Sequence, residues 1–242
     1  MQTAEKVNTA FGDHAAVTES EWMAASRDLL AQEKAFTRER DKLSAKRREL
    51  PWVEVEKDYA FETPDGTKSL GDLFEGKSQL IVYHFMFAPG WDEGCSGCSF
   101  ISDQIDGALL HLKAKDVKYV AVSRAPLAEF LPFKSRMDWK FDWVSSAGTT
   151  FNYDFGVSFK PEDLAAGPVQ YNFTDQKLKS EEQPGLTVFT KTPDGRIYRT
   201  YSTYERGLDL LLDTYNLLDL TPKGRDEEGG MSWVRLHDQY GK

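Results

Sequence analysis

The chain reads as an α/β protein with a mixed central sheet flanked by helices. Three observations lead there. Residues 80–144 alternate apolar runs with helical periodicity, in the order strand, helix, strand, helix, strand, which implies parallel pairing with crossover helices. Two Thr-Pro-Asp-Gly turns, at 63–66 and 192–195, mark a hairpin on either side of that alternation. The only two cysteines, Cys95-Ser96-Gly97-Cys98, stand where the strongly apolar run 80–87 ends and the next helix begins.

Composition narrows the class further. With 242 residues, 40% of them hydrophobic, and six Trp, ten Tyr and fifteen Phe, the chain can bury a sizeable core. A net charge of −9 and a pI near 5.1 argue against a general nucleic-acid partner, which usually needs a basic face. No apolar stretch approaches the length of a membrane span, so no membrane partner is expected. The opening Met1-Gln2-Thr3-Ala4-Glu5-Lys6-Val7 lacks the charged, apolar and cleavage regions of a secretory leader. Two cysteines in so long a chain do not make a disulfide framework. A cytoplasmic protein is expected, in a reducing compartment where a disulfide is transient and chemical.

Residues 18–50 read as one long helix. Thr18 or Ser20 caps it, and Glu21 stands three residues after Thr18, the spacing of a capping box. Trp22, Leu29, Phe36, Leu43 and Leu50 form one stripe at seven-residue intervals, without the second apolar position a coiled coil needs. Charges fill the remaining surface, so a solvated arm is expected, with a homodimer through this helix as the alternative. Pro51 ends it. Tyr59-Ala60-Phe61-Glu62, the first turn, and Leu70, Leu73 and Phe74 predict a hairpin and a short helix. In each turn Pro fixes its φ, Asp bonds back to the backbone, and Gly accepts positive φ.

The run 80–87 predicts a buried strand. Phe100, Ile101, Ile105, Leu109 and Leu112 recur at helical spacing after the cysteines. Residues 117–122 predict a strand, 126–137 a helix that Pro132 should kink or shorten, and 141–144 another short strand. Residues 186–189 and 196–201 flank the second turn. Leu208, Leu210, Leu211, Leu212, Tyr215, Leu217 and Leu218 predict a closing helix. Residues 223–230 are polar and glycine-rich, hence a linker. Trp233, Val234, Leu236 and Tyr240 are too apolar for a loose end, so the tail should dock on the domain or on a second subunit, with Trp233 as anchor. The expected organisation is a helical extension over 1–50, a main domain over 51–221, and a linker and tail over 222–242.

A thiolate, not a thiol, attacks a disulfide. A cysteine at a helix N-terminus faces unpaired backbone N–H groups and the positive end of the dipole. Lowering a thiol pKa from about 8.5 to about 7 raises the thiolate fraction at neutral pH from a few per cent to about half. Cys95 is therefore the candidate attacking thiolate and Cys98, one turn on, the resolving thiol. Ser96 and Gly97 are small and leave the approach open. No metal is expected, because tetrahedral zinc wants four ligands and the histidines are few: His14, His84, His111 and His237. His84, on the strand before the cysteine loop, serves either the core or the site. No cofactor is expected.

Several runs carry a family resemblance. They are Leu50-Pro51-Trp52-Val53, Tyr83-His84-Phe85-Met86-Phe87, Gly94-Cys95-Ser96-Gly97-Cys98-Ser99-Phe100, Val122-Ser123-Arg124-Ala125-Pro126-Leu127, Phe151-Asn152-Tyr153-Asp154-Phe155-Gly156-Val157 and Asp219-Leu220-Thr221-Pro222-Lys223-Gly224-Arg225. Together they resemble a mainly bacterial family called domain of unknown function 899, placed among thioredoxin-like proteins, and the match covers nearly the whole chain. The resemblance implies a thioredoxin-like fold and a redox role. Pro184-Gly185-Leu186-Thr187-Val188-Phe189 resembles the thioredoxin segment that opens with a cis-proline facing the thiols, which makes Pro184 a supporting residue. The tryptophan usual before the first cysteine is absent. Gly94 stands there, and Trp91 is the nearest aromatic. The hairpin, short helix and helical insertions resemble peroxiredoxins more than thioredoxin. The threonine of a peroxidatic site is missing, however. Arg124, closing a parallel strand, is a candidate cation for the thiolate or an ion-pair residue.

The expected function is that of a thiol–disulfide oxidoreductase, acting on a disulfide-bearing substrate and recycled by an external thiol reductant. Two alternatives stand beside it. One is a thiol peroxidase in which Cys95 passes through a sulfenic acid. The other is a non-enzymatic redox sensor or interaction module that recruits its partner through the charged N-terminal helix. His237, next to Asp238, would come near the thiols if the tail docks there.

Overall fold

The computed structural model describes residues 5–241. Residues 1–4, the first part of the run read above for a leader, lie outside the described residues, as does residue 242. The chain divides into two compact units. One holds the residues up to Pro51 together with Leu217–Asp226; the other holds Trp52–Asn216 and the residues from Glu227 onward.

In the first unit, β1 (Glu5–Thr9) and β2 (Gly12–Ala16) form an antiparallel hairpin that the sequence pattern did not mark. Helix α1 (Glu19–Arg48) follows, close to the expected bounds. Both halves of the capping box form. The Glu21 N–H donates to the Thr18 hydroxyl at 3.3 Å, and the Thr18 N–H donates to the Glu21 carboxylate at 2.9 Å. Such a cap contributes about 0.5–2 kcal/mol. It matters here because α1 buries none of its residues, so local terms carry more of its stability. The stripe Trp22, Leu29, Phe36, Leu43 and Leu50 is exposed throughout.

The second unit contains β3 (Val53–Glu54), β4 (Ala60–Thr63), β5 (Gly66–Ser69), β6 (Gln79–His84), α2 (Ser96–Ser102), α3 (Leu109–Ala114), β7 (Val117–Ser123), α4 (Leu127–Arg136) and β8 (Asp142–Ser145). Then come α5 (Phe151–Asp154), α6 (Pro161–Ala166), β9 (Val169–Tyr171), β10 (Thr174–Gln176), β11 (Gly185–Lys191), β12 (Ile197–Tyr204) and α7 (Asp213–Leu218), whose last two residues belong to the first unit. Strands β9 and β10 pair by themselves. The others form one eight-stranded sheet in the order β3-β12-β11-β6-β7-β8-β4-β5.

Strands β6, β7 and β8 are parallel neighbours. The hairpin β11–β12 lies antiparallel on the other side of β6, with Gly185 opposite His84. A parallel crossover pair with an antiparallel hairpin beside its first strand, and the cysteine pair between that strand and the next helix, is the thioredoxin-like arrangement.

Two expected helices are interrupted. After the cysteines, α2 gives way to a short 3₁₀ turn at Asp106–Ala108 before α3. The Asp106 carboxylate accepts from the N–H groups of Lys140 and Phe141 at 2.9–3.1 Å, so it serves a loop rather than a helix face. Before α7, the leucine run 205–211 is likewise a 3₁₀ turn. Helix α4 keeps Pro132 within its ten residues.

The sheet separates two aromatic layers. Leu80, Val82 and His84 of β6 point to one side, where Phe61, Phe74, Phe151, Phe155 and Phe189 are buried. Tyr83 and Phe85 point to the other, where Phe85 packs at a tilt on Trp143 and Phe130 stacks on it, with ring centroids 4.4 and 4.6 Å away. Each fully buried ring contributes roughly 1.5–3 kcal/mol. The Trp143 indole donates to the Ser123 hydroxyl, which donates to the Phe85 carbonyl, so these polar atoms of the layer are paired. Among the described residues, no helix is long and apolar enough to cross a membrane.

Candidate active site

The cysteine loop leaves β6, turns at Ala88-Pro89-Gly90-Trp91 and reaches α2. Gly90 sits at φ 80° and the Trp91 N–H donates to the Ala88 carbonyl, a turn that needs positive φ at its third residue. Cys95 is the N-cap of α2, and its own N–H donates to the Met86 carbonyl at 3.3 Å. Its side chain is half-buried, whereas Cys98 is 1% exposed. Both are free thiols.

The two sulfurs are electrostatically unlike. Hydrogen bonding from the Cys98 thiol is the main influence holding the Cys95 pKa down to about 6. Burial opposes it, and the N–H groups of Cys98 and Gly97 at the helix start add to it. At pH 7 such a thiol is about nine-tenths thiolate. Burial pushes the Cys98 thiol well up, and the adjacent Cys95 sulfur pushes it further. The Met86 N–H and the Tyr83 hydroxyl act in the opposite sense. That hydroxyl is buried beside the Cys98 sulfur and has no other partner. The Tyr119 hydroxyl is buried without a partner too, and it feels the Cys98 charge.

Tyr83, Tyr119 and the Met86 backbone are thus the groups around Cys98 that sequence reasoning missed. A signal was available. Strand side chains alternate, so residues 83 and 85 share a face and residue 84 cannot join them. His84 accordingly lies on the opposite face from the thiols, a correction to its place among the site residues. Its Nε2 meets the Thr187 hydroxyl at 2.9 Å, its ring stacks on Phe155, and its Nδ1 has no partner. Burial lowers its pKa to about 3, so it stays neutral.

Arg124 does not serve the sulfurs. It donates to Glu182 at 2.5 Å, to Glu181 at 3.1 Å and to the Tyr153 hydroxyl at 3.1 Å. Glu182 is buried and also accepts from Ser158. A buried carboxylate needs such a partner, and this one takes up the guanidinium.

Pro184 lies just before β11, beside the end of β6, but every described peptide bond is trans, so the expected cis bond is not there. A trans bond is the intrinsically favoured form. The segment before it is fixed by Glu182, and the Pro184 carbonyl accepts from Tyr171 at 2.7 Å. Trp91 is half-buried with its ring 6.4 Å from Phe87. The glycine before Cys95 has a steric cause. A Cβ on Gly94 would lie 2.6 Å from the Phe85 ring and 2.8 Å from Phe133, so no larger residue fits.

The tail does dock. Val234 and Leu236 are buried, while Trp233 is half-buried against Phe100, Tyr215 and Tyr240. The anchor is shared rather than vested in Trp233. His237 pairs with Asp103 at 2.7 Å, at the far end of α2 from Cys95, so it is not a group of the thiol site.

A family model described as a bacterial protein of unknown function, DUF899, matches residues 11–240. The chain belongs to that family. No curated protein matches it. Among solved structures, this DUF899 protein is similar to the peroxidoxin BcpB of Mycobacterium tuberculosis, at 14% identity and a TM-score of 0.45, over 70% of this chain and 97% of that one. It is similar to a putative thiol:disulfide interchange protein DsbE of Chlorobium tepidum, at 15% identity and a TM-score of 0.42, over 71% and 99%. A peroxiredoxin of Xylella fastidiosa, PrxQ, gives 13% identity and a TM-score of 0.41, over 66% and 88%. The thioredoxin-like fold of this DUF899 chain lies in its strand order.

Proposed function

We propose that the protein is a thiol–disulfide oxidoreductase in which Cys95 attacks and Cys98 resolves. One observation carries this reading: a half-buried Cys95 caps the N-terminus of α2 with the buried Cys98 one turn on, which holds the Cys95 thiol pKa down to about 6 and pushes the Cys98 thiol up. The Cys95 thiolate attacks one sulfur of a substrate disulfide and releases the other as a thiolate. Cys98, losing its proton, attacks the mixed disulfide and releases the second thiolate. The protein is left with a Cys95–Cys98 disulfide, and an external thiol reductant returns the two electrons.

The commitment of Arg124 to Glu182 and Glu181 favours disulfide over peroxide chemistry. A reducing, cytoplasmic setting suits a disulfide that forms and breaks. The acidic surface fits no nucleic-acid partner. The exposed stripe on α1 suits pairing with a second copy, which light scattering in solution tests. The central test is turnover of a small disulfide with an external thiol reductant. Steady turnover that disappears in Cys95→Ser supports the reading. No turnover alongside rapid reaction with hydrogen peroxide would overturn it.

A further inference from the structure

In thiol–disulfide exchange, the residues between and around the cysteines form the ground on which a substrate lands. Here part of that ground is already covered by the chain itself. A Cβ on Gly97 would lie 2.9 Å from the Met231 sulfur and 3.8 Å from the Cys95 sulfur. The thioether of the tail therefore lies directly over the residue between the thiols.

Met231 is held there against a local cost. Its φ is 62°, in the left-handed region that costs a side-chain-bearing residue roughly 1–2 kcal/mol. Its N–H donates to both the Tyr215 hydroxyl and the Glu227 carboxylate, each at 3.0 Å, and Tyr215 donates to the same carboxylate at 2.9 Å. Beyond it, the tail is tied on two sides of the cysteine helix. Trp233 packs on Phe100 of α2. Asp238 accepts from Arg136, which also pairs with Glu93, two residues before Cys95. A strained residue that is this firmly fastened beside a reactive sulfur points to a role in what reaches it.

Building on the oxidoreductase reading, we propose that Met231 restricts Cys95 to low-molecular-weight disulfides. A small disulfide needs only a narrow approach to one sulfur. A protein disulfide must also lay its flanking backbone across Gly97, and the Met231 side chain occupies that space. The exchange step is unchanged: a Cys95–substrate bond forms, the substrate disulfide breaks, and one thiolate leaves.

The test is single-turnover oxidation of the full-length reduced protein by bis(2-hydroxyethyl) disulfide and by insulin, followed as loss of the Cys95 and Cys98 thiols by alkylation and mass spectrometry of the protein. The unmodified protein should favour the small disulfide. Met231→Gly, which suits the positive φ, should raise the insulin-to-small-disulfide rate ratio about tenfold or more, whereas Met231→Leu should keep the ratio low. Reaction with both disulfides at a ratio that Met231→Gly leaves unchanged overturns the role of Met231 alone. A preference of the unmodified protein for insulin does the same. Reaction with neither overturns the oxidoreductase reading and this proposal with it.

Discussion

Tyr83 and His84 follow one another on β6, yet they face opposite sides of the sheet and opposite kinds of chemistry. On the Tyr83 side, buried phenols at Tyr83 and Tyr119 stand near Cys98 with their hydroxyls unpaired, and a thiol pair carries unequal protons. On the His84 side, the imidazole is neutral, bonded to Thr187 and set against the Phe151 and Phe155 rings. The strand-end Arg124 is likewise engaged, by carboxylates. The layer with unsettled polar atoms is the one that can respond to a change of charge on sulfur. The other holds a neutral imidazole, bonded through Nε2 to Thr187, and behaves as structure.

Substitution of the attacking sulfur should sharpen this division most. Cys95→Ser should reduce disulfide turnover to the uncatalysed level, and Cys98→Ser should accumulate the mixed disulfide, visible by mass spectrometry. In the unmodified protein, alkylation of Cys95 should fall about tenfold per pH unit below its pKa of about 6, while Cys98 stays unlabelled at neutral pH.

A smaller but clear effect belongs to the ion pair. Arg124→Ala leaves Glu182 buried without its cation and should cost about 3–5 kcal/mol of stability by denaturant unfolding. Burial already raises the Glu182 pKa, and losing the cation raises it further. Because the unpaired carboxyl costs more when ionised, the variant's deficit should shrink as pH falls and grow as pH rises. Per folded molecule, disulfide turnover should survive. Its loss without loss of stability would break the assignment of Arg124 to structure.

His84 should reveal itself through acid. Its folded pKa of about 3 lies below the unfolded value near 6.5. Stability from this group is thus present above about pH 6.5 and is lost as pH falls toward 3, by up to about 1.4 kcal/mol per unit. His84→Leu should flatten that part of the stability–pH curve and leave the alkylation profile of Cys95 in place. The least effect is expected from Tyr83→Phe, which keeps the ring but removes the hydroxyl beside Cys98. Resolution of the mixed disulfide should slow a few-fold, in line with the about 0.5–1.5 kcal/mol of a single hydrogen bond. No change would remove Tyr83 from the site.

The parts legible in the sequence were those fixed by local chemistry. The Thr18–Glu21 box, the two Pro-Asp-Gly hairpins, the β6–β7–β8 alternation and the Cys95–Cys98 asymmetry all follow from neighbours a few residues apart. What escaped was decided at long range. Gly94 is set by Phe85 and Phe133, Arg124 by Glu182, and the break after α2 by the Asp106 bonds to Lys140 and Phe141. The hairpin β9–β10 was missed because its strands are three residues each, too short for alternation to register.

The sheet also has two ends. One border is β3, only Val53 and Glu54, and the other is β5, four residues that include Lys68. A border strand with so few free backbone groups, or with a lysine along it, offers a foreign strand little to zip onto. The broad centre of the sheet is thereby bordered by edges that give another copy few backbone groups to pair with.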